Sequence, residues 1–283
     1  MLAATLALLG AVLFDAAPEV TSTRQPLIIT SQDHSLANAE NCEHFHTRTL
    51  TTLPSTAHLE GTRNLQLSDA RQLTVRTGSE GGVLVRGWDK SFARLTVCKS
   101  AAAENDREAD KIVRQIEVAV SGNEIVARGP QVNDAHAWWV DMILWVPKTA
   151  RLDVTAANGG IAIRNMTGRV TARATNGGIS IAGCAGEHHL ETKKGGISID
   201  KVSGSVNAKT ESGPISLKLR TAAVPALEAS TDEHGEIVCN VKACSSTLGQ
   251  WTADRKRLRI GGDSAPSIRL TSYSADIMIE QVR

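Results

Sequence analysis

From Val154 onward, apolar and polar positions alternate in short bursts that return at a fixed interval. The chain reads VTAANGGIAIRNMTGR, VTARATNGGISIAGCAGE, HHLETKKGGISIDKVSGS and VNAKTESGPISLKL. Turn dipeptides fall at Gly159-Gly160, Gly177-Gly178, Gly195-Gly196 and Gly213-Pro214, each 18 residues after the last, and Gly168, Gly186 and Gly204 repeat with the same step. After each turn comes an apolar–small–apolar triplet: Ile161-Ala162-Ile163, Ile179-Ser180-Ile181, Ile197-Ser198-Ile199 and Ile215-Ser216-Leu217. Before it, Val154/Ala156, Ala172/Ala174, Leu190/Thr192 and Ala208/Thr210 form a second inward row. Alternation with period two is the signature of strands, so each period predicts two short strands separated by glycine-bearing corners. Stacked at the usual strand spacing of about 4.8 Å, equivalent residues make ladders. Ile161/Ile179/Ile197/Ile215 lies inside and Ala162/Ser180/Ser198/Ser216 outside.

One such period cannot fold alone. Ordering its backbone costs roughly 1–2 kcal/mol per residue, and a buried Ile returns only about 1.5–3 kcal/mol. Neighbours must therefore close the ladders, and something must cover the raw strand edges at both ends. Upstream, LTVRTGSEGGVLVRGWDKS (73–91) has the same strand–Gly-Gly–strand layout, ENDREADKIVRQI (104–116) is helix-like, and AWWVDMILWVP (137–147) reads as an apolar strand. Downstream, Gly235–Cys239 and Ala275–Ile279 look like degenerate turns of the same design. The expected fold is all-β: a single-stranded parallel β-solenoid with 18-residue coils and an N-terminal capping region containing one short helix. The expected divisions are a signal peptide at 1–17, a flexible lead at 18–60, the capping region at 61–150 and the solenoid at 151–283. Within the last, 151–219 holds the regular repeats and 220–283 the degenerate coils.

The segment VPKTARLDVTAANGGIAI, the repeated G-x-V-x-A-x-T-x-x-G-x-I-x-I pattern and LTVRTGSEGGVLVRGWDKS together resemble the bacterial putative-adhesin domains of unknown function. The resemblance covers roughly residues 60–283 and implies a β-solenoid on an exported or envelope-associated bacterial protein. It brings no catalytic residues.

Composition narrows the function classes. The 283-residue chain carries 31 basic and 30 acidic residues, net +1, which gives no electrostatic reason to expect a nucleic-acid partner. Aromatics are 3%, so the core must be thin and filled by small and β-branched side chains. The opening MLAATLALLGAVLF suits a secretory signal better than a membrane span, although no Lys or Arg precedes it and Asp15 sits near the expected cut after Ala17. It is the one segment through which membrane attachment is expected. With five cysteines at least one stays unpaired; in an oxidising compartment Cys42–Cys98 and Cys239–Cys244 are candidate bridges, though spacing does not fix the pairing.

Candidate chemistry is sparse. A calcium roll needs an aspartate in each corner, and none follows the paired glycines. Cys42, His44 and His46 alternate on one strand face, but no complete metal-ligand spacing is met. Adjacent His188 and His189 face opposite ways on a strand, and Cys184, in a ladder with Met166 and Val202, is expected to be buried and inert. No nucleophile elbow, zinc helix, phosphate loop or dinucleotide fingerprint occurs. No metal, cofactor or catalytic residue is assigned.

Outward charges stack instead. Arg173, Glu191 and Lys209 share one position, and Arg164, Asp200 and Lys218 another, interrupted by Ala182. The sign alternation is what cross-strand pairing produces; no aromatic row is evident beside these charges. Trp138, Trp139 and Trp145 are read mainly as a plug at the cap junction, with an exposed binding patch as the other reading. The expected function is non-catalytic surface interaction with a protein or glycan, by an exported protein of the periplasm, envelope or exterior. The interaction face would comprise Ala162, Ser180, Ser198, Ser216, Arg173, Glu191 and Lys209. The alternatives are a self-assembling, bactofilin-like scaffold and a glycan-active enzyme using the charge columns.

Overall fold

The computed structural model describes residues 21–23, 41–43, 53–65, 71–131, 135–219, 225–232, 234–245, 249–261 and 267–282. The segment read as a signal peptide, and His44 and His46, lie outside the described residues.

Among the described residues the strands fall into two 11-stranded sheets. The first runs, edge to edge, Thr21–Thr23, Ser55–Leu65, Ala93–Ala103, His136–Pro147, Val83–Trp88, Ile161–Arg164, Ile179–Ala182, Ile197–Asp200, Ile215–Leu219, Ile277–Gln281 and Ile237–Asn240. The second runs Gln250–Trp251, Arg257–Ile260, Leu227–Thr231, Ile268–Ser272, Ser203–Ser212, Ala185–Lys194, Val170–Asn176, Arg151–Asn158, Gln72–Arg76, Glu124–Arg128 and Glu117–Ser121. Each 18-residue period gives one strand to each sheet. Ile161 pairs with Ile179, Ile179 with Ile197 and Ile197 with Ile215, all parallel and in the expected ladder. In the second sheet Val154, Ala172, Leu190 and Ala208 stand in line. The inward rows of both sheets share one apolar core.

The single-stranded parallel solenoid is corrected by the ends of both sheets. Ser55–Leu65 pairs antiparallel with Ala93–Ala103 over 11 residues, and Ala93–Ala103 with His136–Pro147 over 10; Glu117–Ser121 with Glu124–Arg128 and Leu227–Thr231 with Arg257–Ile260 are shorter antiparallel pairs. The physical reason is the edge problem foreseen from the repeats. Parallel strands leave unpaired backbone groups at either end of a stack, and here long excursions of the chain cover them in mixed sheets. After Val83–Trp88 the chain leaves, builds the antiparallel strands, and returns at Arg151 to pair directly against Gln72–Arg76. The other end mirrors this. After Leu219 the chain runs outward to Leu227–Ile260, then comes back so that Ile268–Ser272 and Ile277–Gln281 slot between strands already laid down. The two degenerate turns are therefore in inverted spatial order: Ile215 meets Ile277, and Ile237 lies beyond it.

Of the described residues between 18 and 60, Thr21–Thr23 and those from Ser55 onward belong to the first sheet. Thr21–Thr23 pairs with Thr56–His58, and Cys42 is bridged to Cys98. The helix Asp106–Gln115 starts where Asn105 accepts the Glu108 amide at 3.0 Å, a side-chain cap, and buries Ala109, Ile112 and Val113.

Corner geometry explains the glycines. A Cβ at Gly159, Gly177, Gly195 or Gly213 would lie 2.1 to 2.4 Å from the carbonyl oxygen of the preceding turn, so only hydrogen fits. The inward hydroxyls have a task there as well. Thr192 donates to the Gly177 carbonyl at 2.8 Å, Thr210 to that of Gly195 at 3.0 Å, and Ser272 to that of Gly213 at 3.2 Å. Buried hydroxyls are thereby satisfied within an apolar row.

Candidate functional site

The residues expected to form one interaction face are divided between the two sheets. Ala162, Ser180, Ser198 and Ser216 stand in line on the outer side of the first sheet. Arg173, Glu191 and Lys209 stand in line on the second. In that second column Arg173 donates to Asp153 at 3.2 Å and the Lys209 ammonium lies 5.3 Å from the centroid of the Tyr273 ring; outside the column, Arg169 pairs with Glu187 of the same sheet. These are exposed contacts between neighbouring strands, worth little each.

The outer row of the first sheet is longer than the repeats suggested. Beyond Ser216 it continues to Met278 and Val238, which are 42% and 39% exposed. In the other direction Ala162 is followed by Leu84 and Ile143, and that end is closed: Leu84 and Ile143 are buried with Cys42 and Cys98 in a small apolar cluster that Ala162 touches. The Cys42–Cys98 bridge thus covers one end of the row and leaves the rest open.

The next outer row carries the charge. In register across the sheet stand Arg94, Trp145, Arg86, Arg164, Ala182, Asp200 and Lys218. The column Arg164–Asp200–Lys218 expected from sequence is its far half. Its near half was missed and is different in kind. The Arg86 guanidinium lies 5.1 Å from the centroid of the Trp145 ring, and Trp145 is 5.8 Å from Trp88 at an interplanar angle of 34°. Trp88 meets Phe92 edge-on at 4.9 Å, and its Nε1–H donates to the Phe92 carbonyl at 2.9 Å, closing the turn that follows the strand. Lys90 and Arg94 lie over the Trp88 ring at 4.7 and 5.3 Å. The signal was present in the sequence: Arg86, Trp88, Lys90, Phe92 and Arg94 alternate cation and ring at every second position.

The three tryptophans read as one cluster separate. Trp138 is buried, packs over Gly129 and donates its Nε1–H to the Pro130 carbonyl at 2.9 Å, so it serves as a plug. Trp145 points outward into the cation-ring patch.

His188 and Cys184 are both buried. His188 stands between Val170 and Val206 in an inward ladder. Neither of its ring nitrogens has a hydrogen-bond partner, and burial pushes its imidazole below the ordinary value against a weak pull from Glu187. Burial pushes the Cys184 thiol up, and hydrogen bonds to backbone only partly oppose this, which disfavours the thiolate a nucleophile needs. Both bridges considered from sequence, Cys42–Cys98 and Cys239–Cys244, are present. Among the described residues no group of three or more His, Cys, Asp or Glu side chains could hold a metal ion, and no helix is long and apolar enough to cross a membrane.

No family model matches the chain, and no curated protein matches it. Solved structures do. A putative cell adhesion protein from Clostridium sporogenes is similar at 9% identity and a TM-score of 0.41, covering 79% of this chain and 99% of that one. A putative adhesin from Bacteroides fragilis is similar at 13% identity and a TM-score of 0.38, covering 79% and 97%. A putative lipid binding protein from Parabacteroides distasonis is similar at 8% identity and a TM-score of 0.21, over the same shares.

Proposed function

We propose that this chain is a non-catalytic exported or envelope protein that works by surface contact, adhesin-like in the loose sense, through the outer side of its first sheet. The observation that carries this reading is the open row Ala162–Ser180–Ser198–Ser216–Met278–Val238. It runs in register across hydrogen-bonded parallel strands and ends in two large apolar side chains left at the surface. An open row of small and apolar groups suits contact with another extended surface better than enclosure of a small substrate. Export is supported by the two disulfides, which persist in oxidising compartments and are rare in the cytosol.

The test is to express the chain with its own N-terminus in a bacterium, fractionate the cells, sequence the mature end, and measure retention of the purified protein on isolated envelopes. An exported product retained on envelopes supports the reading; a cytosolic product with reduced thiols and no retention ends it.

A second reading, the end-to-end scaffold, is favoured by one observation: the first sheet finishes on Ile237–Asn240, a four-residue strand paired on one side to Ile277–Gln281. Light scattering that finds only monomer at high concentration would remove it.

A further inference from the structure

We infer that the patch formed by Arg86, Trp88, Lys90, Phe92, Arg94 and Trp145, with Arg164 beside it, binds acidic polysaccharide. The inference rests on the surface-contact reading and names its partner class.

Three of the nine aromatic residues of the chain lie in this one patch, so ring surface is concentrated there. Lys90, Arg94 and Arg164 have no carboxylate partner among the described residues, whereas the nearby Asp89 is already paired with Lys148. The Nε of Arg164 is buried and makes no hydrogen bond. In a protein of net charge +1, this is a local excess of positive charge left without its counter-ion.

Cations laid over rings keep their side chains in place and can offer N–H groups outward for paired acceptance by a carboxylate. Arg94 and Arg86 flank Trp145 on adjacent strands, and Arg164 is one strand further. At about 4.8 Å per strand these four positions span about 14 Å; three of them are cations, with Arg86 buried against Trp145 and Arg94 and Arg164 partly exposed on either side. That repeat is close to the advance per sugar in an extended polysaccharide. A chain lying across the strands therefore meets anionic-group partners along its edge and rings beneath its C–H faces. Neutral glycans would use the rings alone, and small anions the cations alone.

The probe is a tetramer of galacturonic acid, titrated against the full chain by calorimetry and tryptophan fluorescence, with its methyl ester as the uncharged comparison. Binding of the acid at least tenfold tighter than the ester is expected, weakening as salt rises. The paired variant Lys90→Gln/Arg94→Gln should lose tenfold or more. Arg151→Gln, at an exposed position on the second sheet, should leave affinity unchanged. Circular dichroism and thermal melting confirm that each variant is folded. Equal binding of acid and ester, no binding of either, or affinity indifferent to the paired variant would overturn the inference. Anionic vesicles that bind through the same residues while the tetramer does not would overturn it too. Retention of both wild type and paired variant on envelopes would sink the patch alone and leave the surface-contact reading standing; retention of neither would sink that reading.

Discussion

Thr192 donates its hydroxyl to the carbonyl of Gly177, 2.8 Å away, one period earlier on the same corner. The same reach recurs from Thr210 to Gly195. In the preceding period Ala174 occupies the equivalent position, in register with Thr192. Replacing Thr192 by Val should cost about 1–2 kcal/mol, since it removes a buried hydrogen bond and leaves a carbonyl behind. Ala174→Thr should gain up to about 1 kcal/mol by reaching the Gly159 carbonyl in the same way. Denaturant titration of both variants checks the pair, and a destabilised Ala174→Thr would show that the corner has no room for the added atoms.

The two glycines of each turn should behave differently. At Gly177 a Cβ would lie 2.1 Å from the Gly159 oxygen, but at Gly160 its nearest neighbour is 3.6 Å away. Gly177→Ala is expected to destabilise by about 1–3 kcal/mol or more, because backbone must move. Gly160→Ala should be neutral or stabilising by about 0.4–1 kcal/mol through the unfolded chain. Thermal melting of the two variants side by side decides it.

Acid should weaken the fold through His188. Its imidazole is held below the ordinary value by burial, whereas in the unfolded chain it titrates near 6.5. Between those two values the unfolded chain takes up a proton that the folded one refuses. Stability is therefore complete above the unfolded value and falls as pH drops through about 6.5 toward the folded value, by up to about 1.4 kcal/mol per pH unit. His188→Leu, which matches its ladder neighbours Val170 and Val206 in character, should remove that part of the acid loss. Denaturation midpoints at pH 7 and pH 5 for both proteins measure it; an unchanged difference would assign the acid sensitivity elsewhere.

Two bridges and one buried thiol make a sharp chemical count. Alkylation of the native protein should modify no cysteine, and alkylation after unfolding should modify Cys184 alone. The Cys42–Cys98 bridge spans a sequence separation of 56, so Cys98→Ser should cost about 4 kcal/mol on chain-entropy grounds. Because that bridge also lies over Leu84 and Ile143, its loss should expose them and raise binding of an apolar dye.

The middle of the molecule was legible because an 18-residue period imposes its own register. A slip of one residue would send Ile179 and Ile197 outward and Ser180 and Ser198 into the core. The helix was legible for a similar reason, Ile112 and Val113 forming one apolar side. The ends were not. Val97 pairs with Met142, 45 positions away, and Ile215 with Ile277, 62 away, and no repeated spacing announces either partner. Parallel or antiparallel pairing leaves no separate mark on alternation, so the mixed sheets did not show in the pattern. The outer charge column was found only where the repeat carried it. Arg86, Arg94 and Trp145 come from outside the repeat, and only sheet register sets them beside Arg164.

The inverted order at the far end has a bearing on biosynthesis. Ile268–Ser272 and Ile277–Gln281 are the latest of the described strands to leave the ribosome, yet they occupy interior places between strands made earlier. A nascent chain halted after Ile260 would hold two facing gaps, with Val206, Ile215, Leu227 and Ile237 lining open edges that invite pairing with other copies. Both of these strands must therefore be made before either sheet can close its gap, so this region locks only after Gln281 has been added to the chain.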